Sequence, residues 1–299
     1  MNLLVSGANG FVSKSILSYL KNNSNFINKL GLVSSSANRI SLMDKFNINN
    51  ESIGFENFIN NNFKTSYDVY VHGISEPMSS HNRYKINFIN LKKSLNSCLS
   101  KNIKTFVYLS SGAVYQKKGS TFDESDLTVS LTNIRNTYAD AKLREEVEVK
   151  KFCENNKINF IILRLFSFAG YLIIKRNEFA IIDLFNNAVS NGVAVVKSPK
   201  VVRSYMHEYD LGGAIINIIS NTDAMNECIN IGSPESISMG ELGLKISKIT
   251  SANLLLEKSD YKDFYVPNIS KQKKFYKQKL KDINFIIQDL YSKFNETII

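Results

Sequence analysis

The sequence predicts an α/β fold, a doubly wound parallel sheet carrying a smaller α/β lobe formed from the C-terminal half. Three observations point there. A short apolar run, Asn2 to Ser6, leads into a turn, Gly7-Ala8-Asn9-Gly10-Phe11-Val12-Ser13, and then into a segment of helical periodicity. Buried-type strands then alternate with helical stretches of about 12 to 17 residues, the pattern of parallel strands joined by crossovers. Beyond Phe166 the alternation loosens. Residues 1–166 are therefore expected to form the main sheet domain, with segments at about 201–231 returning to it. Residues 167–200 and 232–299 are left for the lobe, set over the C-terminal edge of the sheet, where open α/β sheets bind ligands.

The elements follow in order. Lys14 to Leu20 is helical and Leu30 to Ser34 a second strand. Tyr67 to His72 is β-rich and reads as a central strand. Asn87 to Ser100 places Phe88, Leu91, Leu95, Cys98 and Leu99 at helical spacing. Thr105 to Ser110 is a buried strand, and Tyr138 to Glu154, rich in Ala, Leu, Lys, Arg and Glu, is a helix. Asn159 to Leu165 is the next strand. Further on, Phe179 to Val189, Leu211 to Ser220 and Met239 to Ile249 read as helices, with Ala194 to Lys197 and Cys228 to Ile231 extended.

Composition narrows the function classes. With 43% apolar and 21% charged residues the chain can bury a core, and 4 prolines and 14 glycines leave no room for a long flexible linker. No basic leader with an apolar core and cleavage site precedes the first strand, and no run approaches a membrane span, so a cytoplasmic protein without a membrane partner is expected. Cys98, Cys153 and Cys228 lie far apart and read as reduced buried thiols. His72, His81 and His207 share no ligand spacing, so no metal site is expected. The net charge of +10 is spread over scattered lysines, dense only from Lys271 to Lys281. That distribution suits anionic small molecules better than nucleic acid.

The first turn has the GxxGxxG spacing with Ser13 in place of the third glycine. Its first glycine allows a tight turn, and its second lets backbone approach a pyrophosphate seated on the helix N-terminus. Gly7, Asn9, Gly10, Phe11 and Val12 are thus candidate cofactor-binding residues for a dinucleotide. An acid closing the second strand would select NAD. Here Ser34, Ser35 and Arg39 stand in that region, hydroxyls and a guanidinium that suit a 2′-phosphate, so NADP is favoured with NAD possible.

Tyr138 and Lys142 share one helix face at i, i+4. With 14 tyrosines and 30 lysines in the chain, about one such pair arises by chance, and Tyr171 with Lys175 is a second. Context separates them: Tyr138 lies on a predicted helix and follows Ser111, which closes a buried strand. A phenol is a poor acid–base group near neutrality unless a cation stabilises its anion, which Lys142 would do, while Ser111 would hold a substrate oxygen beside it. Ser111, Tyr138 and Lys142 are the candidate catalytic residues for hydride transfer.

Taken with GANGFVS, YVHGIS, LSSGAVY, YADAK, LRLFSFAG, VVRSYMHEYDLGGAI, INIGSPESISMGEL and VPNISKQKK in that order, the chain resembles the extended short-chain dehydrogenase/reductases. The particular group is the NAD-dependent epimerase/dehydratase family acting on nucleotide sugars, with a Rossmann-like fold. The resemblance implies that Ser111, Tyr138 and Lys142 form the triad and that Lys142 also holds the nicotinamide ribose. It implies cofactor contacts for His72, at the end of the fourth strand, and for Asn87, opening the following helix. Arg203 would grip the substrate diphosphate, and Ser167 stands where relatives carry a phosphate-contacting Asn. A homodimer through a four-helix bundle of the helices beginning at Asn87 and holding Tyr138 is also implied. Dehydratase relatives carry Asp-Glu after the catalytic hydroxyl; here Gly112 and Ala113 cannot transfer a proton. Reduction of a 4-keto-6-deoxy sugar nucleotide by NADPH is the leading expectation. C4 epimerisation with NAD is the alternative, and a nonenzymatic NADP-binding sensor or scaffold a second.

Overall fold

Strand β1 (Asn2–Ser6) is apolar toward both faces because it lies inside the sheet; Leu3, Leu4 and Val5 are wholly buried. The computed structural model describes residues 1–35, 49–76, 80, 82–117, 119–131 and 137–296. After β1 come α1 (Phe11–Leu20), β2 (Lys29–Ser34), β3 (Asn49–Gly54), α2 (Phe55–Ile59), β4 (Val69–His72) and α3 (Arg83–Ser100). Then follow β5 (Thr105–Ser111), α4 (Tyr138–Asn156), β6 (Asn159–Leu165), β7 (Phe168–Ala169) and α5 (Ala180–Asn191). Next are β8 (Val193–Val196), β9 (Val202–Ser204), β10 (Met206–His207), α6 (Glu208–Ile219), β11 (Glu227–Ile231) and β12 (Ser236–Ser238). The chain ends with α7 (Met239–Thr250), β13 (Asn253–Leu256), β14 (Phe264–Tyr265), α8 (Ser270–Phe275) and α9 (Ile283–Glu296).

Among the described residues the main sheet has seven strands in the order β11-β6-β5-β4-β1-β2-β3, every pairing parallel. The winding reverses between β1 and β4, which opens a crevice at their C-terminal ends. Side chains alternate across the sheet into two cores. Leu3 and Val5 join the layer under α1, α5 and α6, whereas Leu4 joins Tyr70, Phe106 and residues of α3 and α4 on the opposite face. Helices α1 and α6 touch closely: a Cβ at Gly212 would lie 2.1 Å from the Ser15 carbonyl oxygen.

Past β6 the chain builds small sheets, β10 with β7, β12-β9-β14, and β13 with β8. Helices α5 and α7 pack on β8, and α9 packs on α7, while α8 lies on β11 and α6. The expected elements are present with ends moved by a few residues. Helix α3 is the clear correction: it starts at Arg83, so Asn87 sits in its second turn rather than opening it. Arg83 to Ile86 are acceptable helix formers without apolar periodicity, which hid the first turn. Strand β3, short α2 and long α9 were not anticipated. Cys98 and Cys153 are buried free thiols and Cys228 a half-buried one. No helix among the described residues is long and apolar enough to cross a membrane.

Candidate active site

The turn after β1 is built for close backbone approach. Gly7 has φ of +68°, and a Cβ there would fall 2.2 Å from the Gly73 carbonyl oxygen in the segment after β4. Ser6 ties the two strand ends together: its Oγ donates to the Val71 carbonyl at 3.2 Å and accepts from the Gly73 amide at 3.1 Å. Ser13 is buried, and its Oγ donates to the Ser6 carbonyl at 3.2 Å. The serine in the third-glycine position thus satisfies its hydroxyl within the turn. Asn9 and Gly10 are exposed at the rim. Helix α1 begins with no side-chain cap and no acid in its first turn, so the N–H groups and dipole at Phe11 and Val12 present positive potential outward. This cradle fits a dinucleotide pyrophosphate. Ser34 is buried at the end of neighbouring β2 and Ser35 is exposed just beyond it; Arg39 lies outside the described residues.

His72 ends β4 with its ring inside the aromatic layer, stacked near Phe106 at 5.9 Å and Tyr108 at 6.2 Å between centroids. Burial, with the Lys142 charge assisting, holds it down at about 3, so it stays neutral. Its side chain is buried at the end of the strand. Asn87 braces the loop after β4: its Oδ1 accepts from the Glu76 amide at 2.8 Å.

Ser111 closes β5, and its Oγ accepts from the Ala113 amide at 3.2 Å. The next residue is glycine for a steric reason. A Cβ at Gly112 would come 2.6 Å from the Phe166 ring and 2.7 Å from the Tyr265 hydroxyl. Tyr138 opens α4 and is exposed. The helix start is fixed by a capping box, with the Thr137 hydroxyl accepting from the Asp140 amide at 3.2 Å and the Asp140 carboxylate from the Thr137 amide at 3.1 Å. One turn on, Lys142 Nζ donates to the Tyr108 hydroxyl at 3.0 Å and to the Leu109 carbonyl at 3.0 Å. Below these residues Glu146 pairs with Arg164 at 2.8 Å and accepts from Ser110 at 2.5 Å, a buried network joining α4, β5 and β6.

Across the crevice Ser167 lies half-buried between β6 and β7. Arg203, on β9, pairs with Asp263 at 2.7 Å and lies 5.8 Å from the centroid of the Tyr265 ring. Two residues absent from the sequence expectations are therefore central. Tyr265 donates its hydroxyl to the Leu165 carbonyl at 3.5 Å and packs on Phe166 at 4.5 Å, its phenol pushed up by burial. Asp263 engages Arg203 and also Lys117 at 3.2 Å. Both come from a loop and a two-residue strand with no periodicity to mark them. The third surprise is His207, Glu208 and Asp289, brought together by α9 although their spacing suggested nothing. The Lys293 ammonium already sits among them, 2.8 Å from Asp289 and 3.5 Å from Glu208.

A glycine turn at the switch point of a parallel sheet, with Ser111 closing β5 and Tyr138 and Lys142 in the first turns of adjoining α4, is the architecture of the dinucleotide-binding α/β proteins. The chain matches the NAD dependent epimerase/dehydratase family over residues 3–232 and belongs to that family of enzymes. No curated protein matches its sequence. Among solved structures it is similar to an epimerase from Methanothermobacter thermautotrophicus, with TM-score 0.81 and 19% identity, covering 99% of this chain and 92% of that one. It is also similar to UDP-glucuronic acid 4-epimerase from Bacillus cereus, solved with UDP-glucuronic acid and NAD, at TM-score 0.79, 18% identity and coverage of 99% and 100%. UDP-glucose 4-epimerase from Thermotoga maritima, solved with UDP-glucose, gives TM-score 0.79 at 18% identity, with 100% of both chains covered.

Proposed function

We propose that the protein is an NAD-dependent epimerase that inverts C4 of a nucleotide-activated sugar. The observation that carries this reading is the placement of Ser111, Tyr138 and Lys142 at one end of β5 and α4 beside a space where an acid cannot stand. Gly112 has Phe166 and Tyr265 against it, so the proton-transferring acid a dehydratase needs has no room there. Similarity to two nucleotide-sugar 4-epimerases supports the same choice and moves epimerisation ahead of the reduction favoured by sequence. NAD likewise moves ahead of NADP, since the Bacillus cereus relative was solved with NAD.

A bound dinucleotide would supply hydride acceptance and donation at the sugar carbon. Gly7, Gly10 and the first turn of α1 would hold its pyrophosphate, Ser34 and Ser35 its adenosine ribose, and Lys142 its nicotinamide ribose. Tyr138 takes the proton of the sugar 4-hydroxyl as hydride leaves C4, while Ser111 holds that oxygen. Inversion would need the 4-keto sugar to turn in the site, and Tyr138 would then give its proton back to the C4 oxygen. Arg203 would grip the diphosphate after parting from Asp263, with Ser167 beside it. The sugar nucleotide would lie between the sheet domain, residues 1–166 with 201–231, and the lobe of residues 167–200 and 232–299. A homodimer through the outer faces of α3 and α4 completes the proposal; Ile89 and Val147 are exposed there.

The test combines the absorbance of cofactor released from purified protein with proton NMR of UDP-glucose and UDP-glucuronic acid incubated with it. Released NAD and inversion at C4 are expected. Oxidation of added NADPH by a 4-keto-6-deoxy sugar nucleotide, without inversion of either substrate, would establish reduction instead. Cofactor binding with neither reaction would point to the sensor or scaffold.

A further inference from the structure

Lys142 is held by more than the family motif supplies. Its ammonium donates to Tyr108 and to the Leu109 carbonyl, both at 3.0 Å, and lies 3.5 Å from the carboxylate of Glu145, three residues on along α4. Glu145 is 4% exposed, and the Tyr108 hydroxyl donates to it. We propose that Glu145, acting through Tyr108, is the positioning residue that fixes the Lys142 ammonium against β5. This rests on the reading of Lys142 as the cofactor-holding cation.

A buried carboxylate is unfavourable unless paired and hydrogen-bonded, so the groups around Glu145 decide what it does. From β4, His72 faces this layer but is held neutral by burial and offers no competing cation. From β5, the Tyr108 phenol is pushed well up, first by burial and then by Glu145, so it remains a donor toward the carboxylate. Its lone pairs are then free to accept from Lys142. From β6, Arg164 is committed to Glu146, which also takes the Ser110 hydroxyl. Among the described residues, Lys142 is the cation paired with Glu145. The hydrogen bonds run one way, from Lys142 to Tyr108 to Glu145. They pin a long, flexible side chain beside the strand end that carries Ser111 and one turn below Tyr138.

The experiment uses the full chain and two readouts. Without cofactor, Lys142 is acetylated with the N-hydroxysuccinimide ester of acetic acid and its peptide is followed by mass spectrometry. Acetylation is expected about threefold faster in Glu145→Ala than in the parent, since the released ammonium gains solvent access, with Glu145→Asp restoring part of the protection. NAD+ titration by calorimetry should show binding about fivefold weaker in Glu145→Ala, and Lys142→Ala/Glu145→Ala no weaker than Lys142→Ala alone. If alanine prevents folding, Glu145→Gln keeps the volume and should still speed acetylation about twofold. Unchanged acetylation in a folded variant, or additive losses in the double variant, would overturn the proposal. A parent protein that binds neither NAD+ nor NADP+ overturns the cofactor reading instead, while the acetylation result still decides the role of Glu145.

Discussion

Tyr138 and Lys142 sit on one face of one helix, yet their side chains do different work. Tyr138 reaches solvent at the crevice, and Lys142 points back onto β5. Replacing Tyr138 by Phe removes only the hydroxyl. Turnover should fall about 10²- to 10⁴-fold with NAD+ affinity unchanged, which steady-state rates and calorimetry would check. A Phe variant with parental turnover would remove Tyr138 from the mechanism. His72 carries a stability prediction. Its folded value, about 3, lies below the ordinary 6.5, so the unfolded chain takes up the proton first as pH falls. The contribution is complete above about pH 6.5 and is lost on acidification toward about 3, at up to about 1.4 kcal/mol per pH unit. Urea melts of His72→Gln should therefore lose less stability than the parent between about pH 6 and 4.

At the scale of elements, the start of α4 decides where Tyr138 stands. The Thr137–Asp140 capping box fixes that start, and substituting Thr137 by Ala should cost about 1 kcal/mol. Because the frayed turn is the one bearing Tyr138, turnover should fall further than thermal stability does. Equal losses would show that the cap serves folding alone. The turn between β5 and the next segment is the second such place. Gly112→Asp has to push aside the Phe166 ring and Tyr265, so it should lower Tm by several degrees and confer no dehydratase activity. A stable, dehydrating variant would contradict the steric account.

Over the whole molecule, one parallel sheet with two cores carries the turn at Gly7 to Ser13 and the strand end at Ser111, and the small C-terminal sheets bring in Arg203, Asp263 and Tyr265. If α3 and α4 pair between copies as proposed, charge placed on their outer face should separate the copies. Ile89→Lys with Val147→Glu is expected to sediment at half the mass of the parent while keeping its circular dichroism. A parent that sediments as a monomer would remove the dimer.

Much of this was legible in the sequence. Gly7 and Gly10 marked the turn because close backbone approach demands glycine, and β1, β5 and β6 declared themselves by apolar runs that only a central strand can hide. Helix α9 carries a periodic signal too, with Ile283, Ile286, Ile287 and Leu290 buried at helical spacing, but the lysine run before it obscures where it starts. Strand β3 was not legible: NNESIG is polar because an edge strand needs few apolar residues, and of its residues Ile53 joins the core. The sequence by itself determined the doubly wound parallel sheet and put forward Ser111, Tyr138 and Lys142 as candidates, since local pattern and helical spacing carry both. Tertiary structure alone decided that His72 turns inward, that Ser13 completes the turn, and that Glu145 and Tyr108 take hold of Lys142. It also decided that Asp263 and Tyr265 meet Arg203 and that Tyr265 lies against Gly112. Each of those outcomes depends on which distant backbone lies within hydrogen-bonding or packing reach, and no periodicity encodes that.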